Sequence, residues 1–295
     1  MEEGFRVKLI VRAPAKLNLS LDAPFTHSDG TIEWRMVMTS IGLSDFVQIE
    51  TNSSNTIKVT SDSGFLPGDS RNLAYKAAEI FLEKTGIDTG LVISIEKHIP
   101  VAAGLGGGSS DAAAVFRALN DIFETSLSLD QLAKMGLAVD SDVPYCIYGD
   151  TALVSGRGEV ITPLQKLPKM WFVLAKPNVS VSTPRVLRKL LKTPISHPRT
   201  DELLRGIAEQ DYPKIVTNLG NALEAISMAE HPQILTLKQR LVKYGCDGSQ
   251  MSGSGPTVFG ICRTESRAKR VYNSLSGFCN EVYLTQVASE RIHQS

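Results

Sequence analysis

The sequence predicts an α+β fold in two parts, on three observations. Strand-like and helix-like hydrophobic patterns are interspersed without the strict alternation of a doubly wound sheet. A glycine-rich segment at 104–108 joins a strand pattern to a long helical one. A glycine turn at 156–159 falls near the middle of a chain of 295 residues, which is long enough for two domains. The expected division is 1–156 and 157–295.

The elements follow in order. Residues 7–21 alternate as one long strand, or as two joined at Pro14. Ser28-Asp29-Gly30 is a turn, and 36–41, 46–51 and 56–60 suit strands. Asn72 caps a helix carrying Leu73, Ala74, Ala77, Ala78, Ile80 and Phe81, which stops at Gly86. A strand pattern at 92–97 runs into the glycine segment. Val115, Phe116, Leu119, Ile122 and Phe123 then recur at helical spacing. Ser128-Leu129-Asp130-Gln131 is a capping box that opens a short helix to Gly136. An apolar strand is expected after Asp140-Ser141-Asp142. Beyond the turn at 156–159 a strand is expected at 171–175 and helices at 184–192, 201–208, 213–226 and 232–243. A small-residue loop at 251–256, a strand at 257–262, a helix at 267–275 and a strand at 281–287 complete the chain.

Composition bounds the function. Lys and Arg number 31, as do Asp and Glu, so no net charge draws the protein to nucleic acid or to a membrane. Arg185, Arg188, Lys189 and Lys192 read as a solvated helix face. Cys146, Cys246, Cys262 and Cys279 are scattered, which argues against a disulfide framework or a zinc site. Met1-Glu2-Glu3-Gly4 is acidic and lacks a signal-peptide core. No apolar run approaches the roughly 18 residues that span a bilayer. A cytoplasmic protein without membrane or nucleic-acid partners is expected, as a monomer or weak homodimer.

The chemistry centres on Pro100-Val101-Ala102-Ala103-Gly104-Leu105-Gly106-Gly107-Gly108-Ser109-Ser110-Asp111. Glycines let backbone N–H groups converge on a ligand, and a helix N-terminus adds donors and partial positive charge. Ser109 and Ser110 either cap the helix or turn a hydroxyl toward a phosphate or its Mg²⁺. This suits a polyphosphate. The P-loop and the dinucleotide fingerprint both fail, because no Lys follows the glycines and Ser109 stands where a third Gly is needed. Two further stretches carry polar groups in apolar company. Lys16, within Ala13-Pro14-Ala15-Lys16-Leu17-Asn18-Leu19, either faces solvent or asks for an anion. Asp140 and Asp142 are either solvated turn residues or a metal ligand and a general base.

The glycine-rich segment resembles the ATP-binding loop of the GHMP kinases, small-molecule kinases acting on alcohols. The resemblance runs along nearly the whole chain. It is strongest to members that phosphorylate the 2-hydroxyl of a cytidine-diphosphate-linked methylerythritol in non-mevalonate isoprenoid synthesis. It implies an N-terminal domain like ribosomal S5 domain 2 and a C-terminal ferredoxin-like domain. ATP and Mg²⁺ are implied as cofactors, with Ser110 near the metal and residues 100–110 on the phosphates. Asn72 and Lys97 correspond to positions near the adenosine, although Asn72 is also a plain helix cap. Lys16 and Asn18 match the family's first motif, and Asp140-Ser141-Asp142-Val143-Pro144-Tyr145 matches the motif carrying the catalytic aspartate, here Asp142. Gly253 and Ser254 lie in the match to the third motif, which in the family packs against the phosphate loop.

The acceptor half departs from the pattern. Where the family has Asp-Gly-Tyr-His-Glu, this chain has Asp29-Gly30-Thr31-Ile32-Glu33, and Leu187 stands where a second aromatic ring is expected. Base–aromatic stacking contributes about 1–3 kcal/mol per base, and a missing hydrogen-bond partner costs about as much again. Phe25, His27 and Trp34 lie nearby in sequence. Asp140 and Asp150 replace glycines, and Asp140 either adds a metal ligand or weakens ATP binding by repulsion. Three functions are consistent with these residues: the cytidine-linked polyol kinase, a GHMP kinase for another small alcohol, and a catalytically weak nucleotide-binding relative.

Overall fold

The computed structural model describes residues 7–64 and 66–288. The acidic start Met1-Glu2-Glu3-Gly4 lies outside the described residues. In chain order the elements are β1 (Lys8–Thr26), β2 (Ile32–Asn52), β3 (Ile57–Ser61), α1 (Leu73–Thr85), β4 (Gly90–Glu96), α2 (Gly107–Ile122), α3 (Leu129–Leu137) and α4 (Val143–Tyr148). Next come β5 (Thr151–Gly156), β6 (Val160–Pro163), β7 (Trp171–Lys176), α5 (Thr183–Leu190), α6 (Thr200–Ala208), α7 (Tyr212–Thr217) and β8 (Gly220–Asn221). The last are α8 (Glu224–Glu230), α9 (Pro232–Tyr244), β9 (Gly248–Met251), β10 (Val258–Cys262), α10 (Glu265–Ser276) and β11 (Glu281–Gln286).

The chain forms two compact units. The first holds the described residues of 1–15, 43–101 and 106–149; the second holds those of 16–42, 102–105 and 150–295. In the first unit β4 runs antiparallel to the end of β2, from Phe46↔Glu96 to Asn52↔Gly90, and parallel to β3. Val47, Ile49, Leu91 and Ile93 are fully enclosed on this sheet. The apolar faces of α1 and α2 meet, with Phe81 and Phe116 at 6.5 Å. The local signals act as expected. Asn72 caps α1, Gly86 ends it at φ +70°, and the Ser128–Gln131 box makes both of its hydrogen bonds.

In the second unit the start of β2 pairs with β5, β5 with β6, and β1 runs parallel to the short β8. A separate four-stranded antiparallel sheet has the order β11-β7-β10-β9. Counted along the chain, that is fourth, first, third, second. Helix α9 leads into the second strand and α10 joins the third to the fourth, which is the ferredoxin-like split βαβ arrangement. Phe172 and Phe259 meet edge-to-face at 6.1 Å in its core.

Four local expectations need correction. The strands expected at 36–41 and 46–51 are one 21-residue strand, β2. Gly42 lies within β2, and a Cβ there would sit 3.0 Å from Thr285 Oγ1, so this glycine serves close approach rather than a break. The strand expected after Asp142 is a helix, α4, with Pro144 in its first turn, where a missing N–H costs nothing. The helix expected at 213–226 is divided into α7 and α8 by β8. Ser109 and Ser110 do not cap α2; its N-cap is Gly106, in the left-handed conformation at φ +67°.

Candidate active site

In the first unit, α2 starts with free polar backbone. The first N–H groups of any helix lack intrahelical acceptors, and no side chain caps those of α2. Gly106, Gly107 and Gly108 leave the approach to them without side chains. Helix α2 is 16 residues long and has no acidic residue of its own in its first turn. The Ser109 hydroxyl donates to Asp140 Oδ1 at 2.9 Å, and the same oxygen accepts the Asp142 backbone N–H at 3.1 Å. Asp140 therefore joins the start of α2 to the turn that presents Asp142. Asp142 is the half-buried N-cap residue of α4, and its carboxylate makes no capping bond.

Ser110 is enclosed, and its hydroxyl donates to the Pro14 carbonyl at 2.8 Å. That setting does not suit a hydrated cation. Ser109 with Asp140 fits Mg²⁺ better, because this ion takes one or two carboxylates together with phosphates and water. No group of three or more His, Cys, Asp or Glu able to hold a metal exists among the described residues.

Asn72 uses both side-chain groups locally, accepting from Ala74 N at 2.9 Å and donating to the Pro67 carbonyl at 2.9 Å. The Lys97 ammonium is buried against two carboxylates, Asp45 and Asp111. Asp111 Oδ1 has no hydrogen-bond partner among the described residues. Burial pushes the Asp111 carboxyl up, against the pull of Lys97.

In the second unit, Lys16 is only 4% exposed, and its Nζ donates to Asn18 Oδ1 at 2.7 Å. Both lie on β1. Ser252 donates its hydroxyl to the Gly104 carbonyl at 2.9 Å and accepts the Asn18 N–H at 3.3 Å. The loop at 251–256 thus packs on Ala102–Leu105 and on Lys16: a Cβ on Gly253 would lie 3.2 Å from Gly104 O and 3.5 Å from Lys16 Nζ. Ser254 shares a hydrogen bond with Thr183 at 2.6 Å. Asn221 holds this loop from beneath, donating to the carbonyls of Met251 and Gly253.

The candidate acceptor residues are also in the second unit. The Thr31 hydroxyl is committed to Asp29 Oδ1 at 2.6 Å, and Asp29 pairs with Arg157. Ile32 and Leu187 are half-buried, on β2 and α5. Phe25 is 56% exposed and stands edge-on to His27 at 5.0 Å. His27 Nε2 lies 2.9 Å from Glu33 Oε2.

Sequence reasoning missed Asp45 and Asn221, and took Ser252 only as part of the small-residue loop at 251–256. A lone acid between apolar strand runs was the available signal for Asp45. Asn221 fell inside a stretch read as helix, so nothing marked it.

Residues 72–150 match the family described as GHMP kinases N terminal domain, and residues 203–281 match GHMP kinases C terminal. The chain is 56% identical over 281 residues to a 4-diphosphocytidyl-2-C-methyl-D-erythritol kinase of Levilactobacillus brevis, covering 95% of this chain and 99% of the relative. It is 54% identical over 288 residues to the protein of the same name from Lactiplantibacillus plantarum, covering 97% and 100%. A crystal structure of 4-(cytidine 5'-diphospho)-2C-methyl-D-erythritol kinase superposes with a TM-score of 0.80 at 30% identity, over 96% of this chain and 100% of that one. A homoserine kinase from Cytophaga hutchinsonii shares the fold, with a TM-score of 0.77 at 20% identity over 97% of this chain and 96% of that one.

Proposed function

The chain belongs to the GHMP kinases and, within them, to the family of the 4-diphosphocytidyl-2-C-methyl-D-erythritol kinases, and on that premise we propose that it transfers the γ-phosphoryl group of ATP to the 2-hydroxyl of CDP-methylerythritol. The observation that carries the ATP half is the uncapped, glycine-lined N-terminus of α2. Its N–H groups and the loop at 100–110 take the phosphates, with Asn72 and the backbone at Lys97 toward the adenosine. Asp140 and Ser109 would hold the ion of Mg-ATP, which neutralises charge on the transferring group, with Ser110 behind them.

The acceptor oxygen forms the new bond to phosphorus, the bridge to the β-phosphate breaks, and ADP leaves. Asp142 takes the hydroxyl proton, and its half-buried place at the start of α4, in the turn next to the first turn of α2, supports that role. Lys16 and Asn18 orient the acceptor, backed by Gly253 and Ser254. Catalysis of this kind is mainly positioning and electrostatics, and positioning alone can supply roughly 7–11 kcal/mol. The functional division remains 1–156 and 157–295, supported by the family matches falling on either side of it.

Thr31, Ile32 and Leu187 favour a second reading, a GHMP kinase for an alcohol without cytosine. The exposed Phe25 and the His27–Glu33 pair supply replacement groups for a base within the same unit and support the first. A cytoplasmic monomer or weak dimer fits both. Among the described residues no helix is long and apolar enough to cross a membrane. The test is ADP release with Mg-ATP, comparing CDP-methylerythritol with a panel of small alcohols. Turnover on the cytidine substrate upholds the proposal. Turnover only on another alcohol moves the protein to the second reading, and ATP binding without turnover on any overturns both.

A further inference from the structure

A flexible glycine-rich loop binds phosphates well only if its two ends are held, because glycine has more conformational freedom to lose than any other residue. In this protein both ends lead to one carboxylate. Asp45 is fully buried on β2. Its Oδ1 accepts the N–H groups of His98 at 2.6 Å and Ile99 at 2.8 Å, the two residues just before Pro100. Its Oδ2 accepts from Lys97 Nζ, and that ammonium also donates to Asp111 Oδ2 at 2.8 Å, in the second turn of α2. The upstream end is thus tied directly and the downstream end through Lys97. The start of α2 rests on this strut: a Cβ on Gly107 would lie 3.1 Å from Ile99 Cγ2 and 3.3 Å from Lys97 Nζ.

Packing alone does not call for buried charge here. A buried ionic group is often no more stable than apolar residues of the same volume. What an ammonium between two carboxylates supplies is direction, since its hydrogen bonds survive only one arrangement of the three backbones. We propose that Asp45 is a positioning residue for the ATP phosphates, acting through Lys97 and Asp111 to fix the N–H groups at the start of α2. The proposal rests on the reading that this helix end holds ATP.

In Asp45→Asn an amide group faces the Lys97 ammonium, and the strut is lost. The Kd and KM for Mg-ATP are expected to rise about 10- to 100-fold, the scale of one hydrogen bond to a charged group, while the acceptor KM changes less than about threefold. Asp111→Asn keeps a carbonyl oxygen for Lys97 and stays within about threefold of wild type. If Asp45→Asn alone does not fold, the triple variant Asp45→Asn, Lys97→Met, Asp111→Leu replaces the ionic tie by apolar packing and leaves no buried charge unpaired. It is expected to keep its Tm within a few degrees and still lose ATP affinity. Wild-type ATP affinity in either folded variant, or an equal rise in both KM values, overturns the proposal. Amide hydrogen exchange without nucleotide separates this from the functional reading. In Asp45→Asn, faster exchange at His98, Ile99 and Ser110, with α1 unchanged, supports the strut even in a protein that binds no ATP. Unchanged exchange removes it.

Discussion

Replacing Gly104 by alanine tests the packing of the phosphate loop against the loop at 251–256. Two costs are expected. Gly104 has φ +75°, and an L-residue pays about 1–2 kcal/mol to adopt that left-handed conformation. The new Cβ also meets backbone, not a side chain that can turn away. It would overlap the Ser252 carbonyl oxygen and lie 3.0 Å from that of Gly255. Overpacking of this kind adds about 1–3 kcal/mol. The sum, about 2–5 kcal/mol, is a large share of the 5–15 kcal/mol that holds a typical domain folded. Displacing the loop is also expected to raise the KM for Mg-ATP at least tenfold. Gly277→Ala is the control in the same unit, because its φ is −75° and a Cβ there meets nothing within 4 Å. That change is expected to be neutral or stabilising by a few tenths of a kcal/mol. Urea unfolding followed by fluorescence, with ATP kinetics on both proteins, decides the matter. Equal unfolding midpoints for Gly104→Ala and wild type would refute the steric argument.

Three further changes probe other parts. Asp142→Asn is expected to lower kcat by about 100- to 10 000-fold, the range for a lost general base, with Mg-ATP affinity within about threefold; near-wild-type turnover would remove Asp142 from the reaction. Asn72→Ala deletes the α1 cap and the bond to Pro67, and a stability loss of about 1–2 kcal/mol in urea unfolding is expected. Arg117 is wholly buried and donates to the carbonyls of Cys146 and Arg12, and burial lowers it to about 10. Arg117→Met removes both hydrogen bonds and is expected to destabilise the protein by about 2–4 kcal/mol, read as a fall in the urea midpoint.

The functional outline was legible because its signals are local. A capping asparagine or serine, a glycine stop and a run of glycines before an apolar helix all act within a few residues. The helices from Asn72 and Ser128, and the glycine segment opening α2, therefore lie where the sequence predicts them. The ferredoxin-like sheet came from resemblance, and its strand order agrees.

Partner choice was not legible. The family resemblance puts Lys97 near the adenosine, but nothing in the sequence shows that its ammonium pairs with Asp45, 52 residues away, and Asp111, 14 residues away. Asp140 reads as repulsive or metal-binding, and the sequence does not show that it also accepts from Ser109 and from the Asp142 N–H. The strands expected at 36–41 and 46–51 are one because Gly42 lets Thr285 pack against β2 between them. Residues 143–148 have the apolar run of a strand, but Pro144 in a first turn and the close contact of α3 accompany a helix there. Sequence alone determined which backbone stretches could form each element and which groups could meet a phosphate, because those preferences are set by torsions and neighbours in the chain. The tertiary structure decided which charges are buried, and with what partner, because desolvating a charge is favourable only when groups distant in sequence are brought within hydrogen-bonding reach.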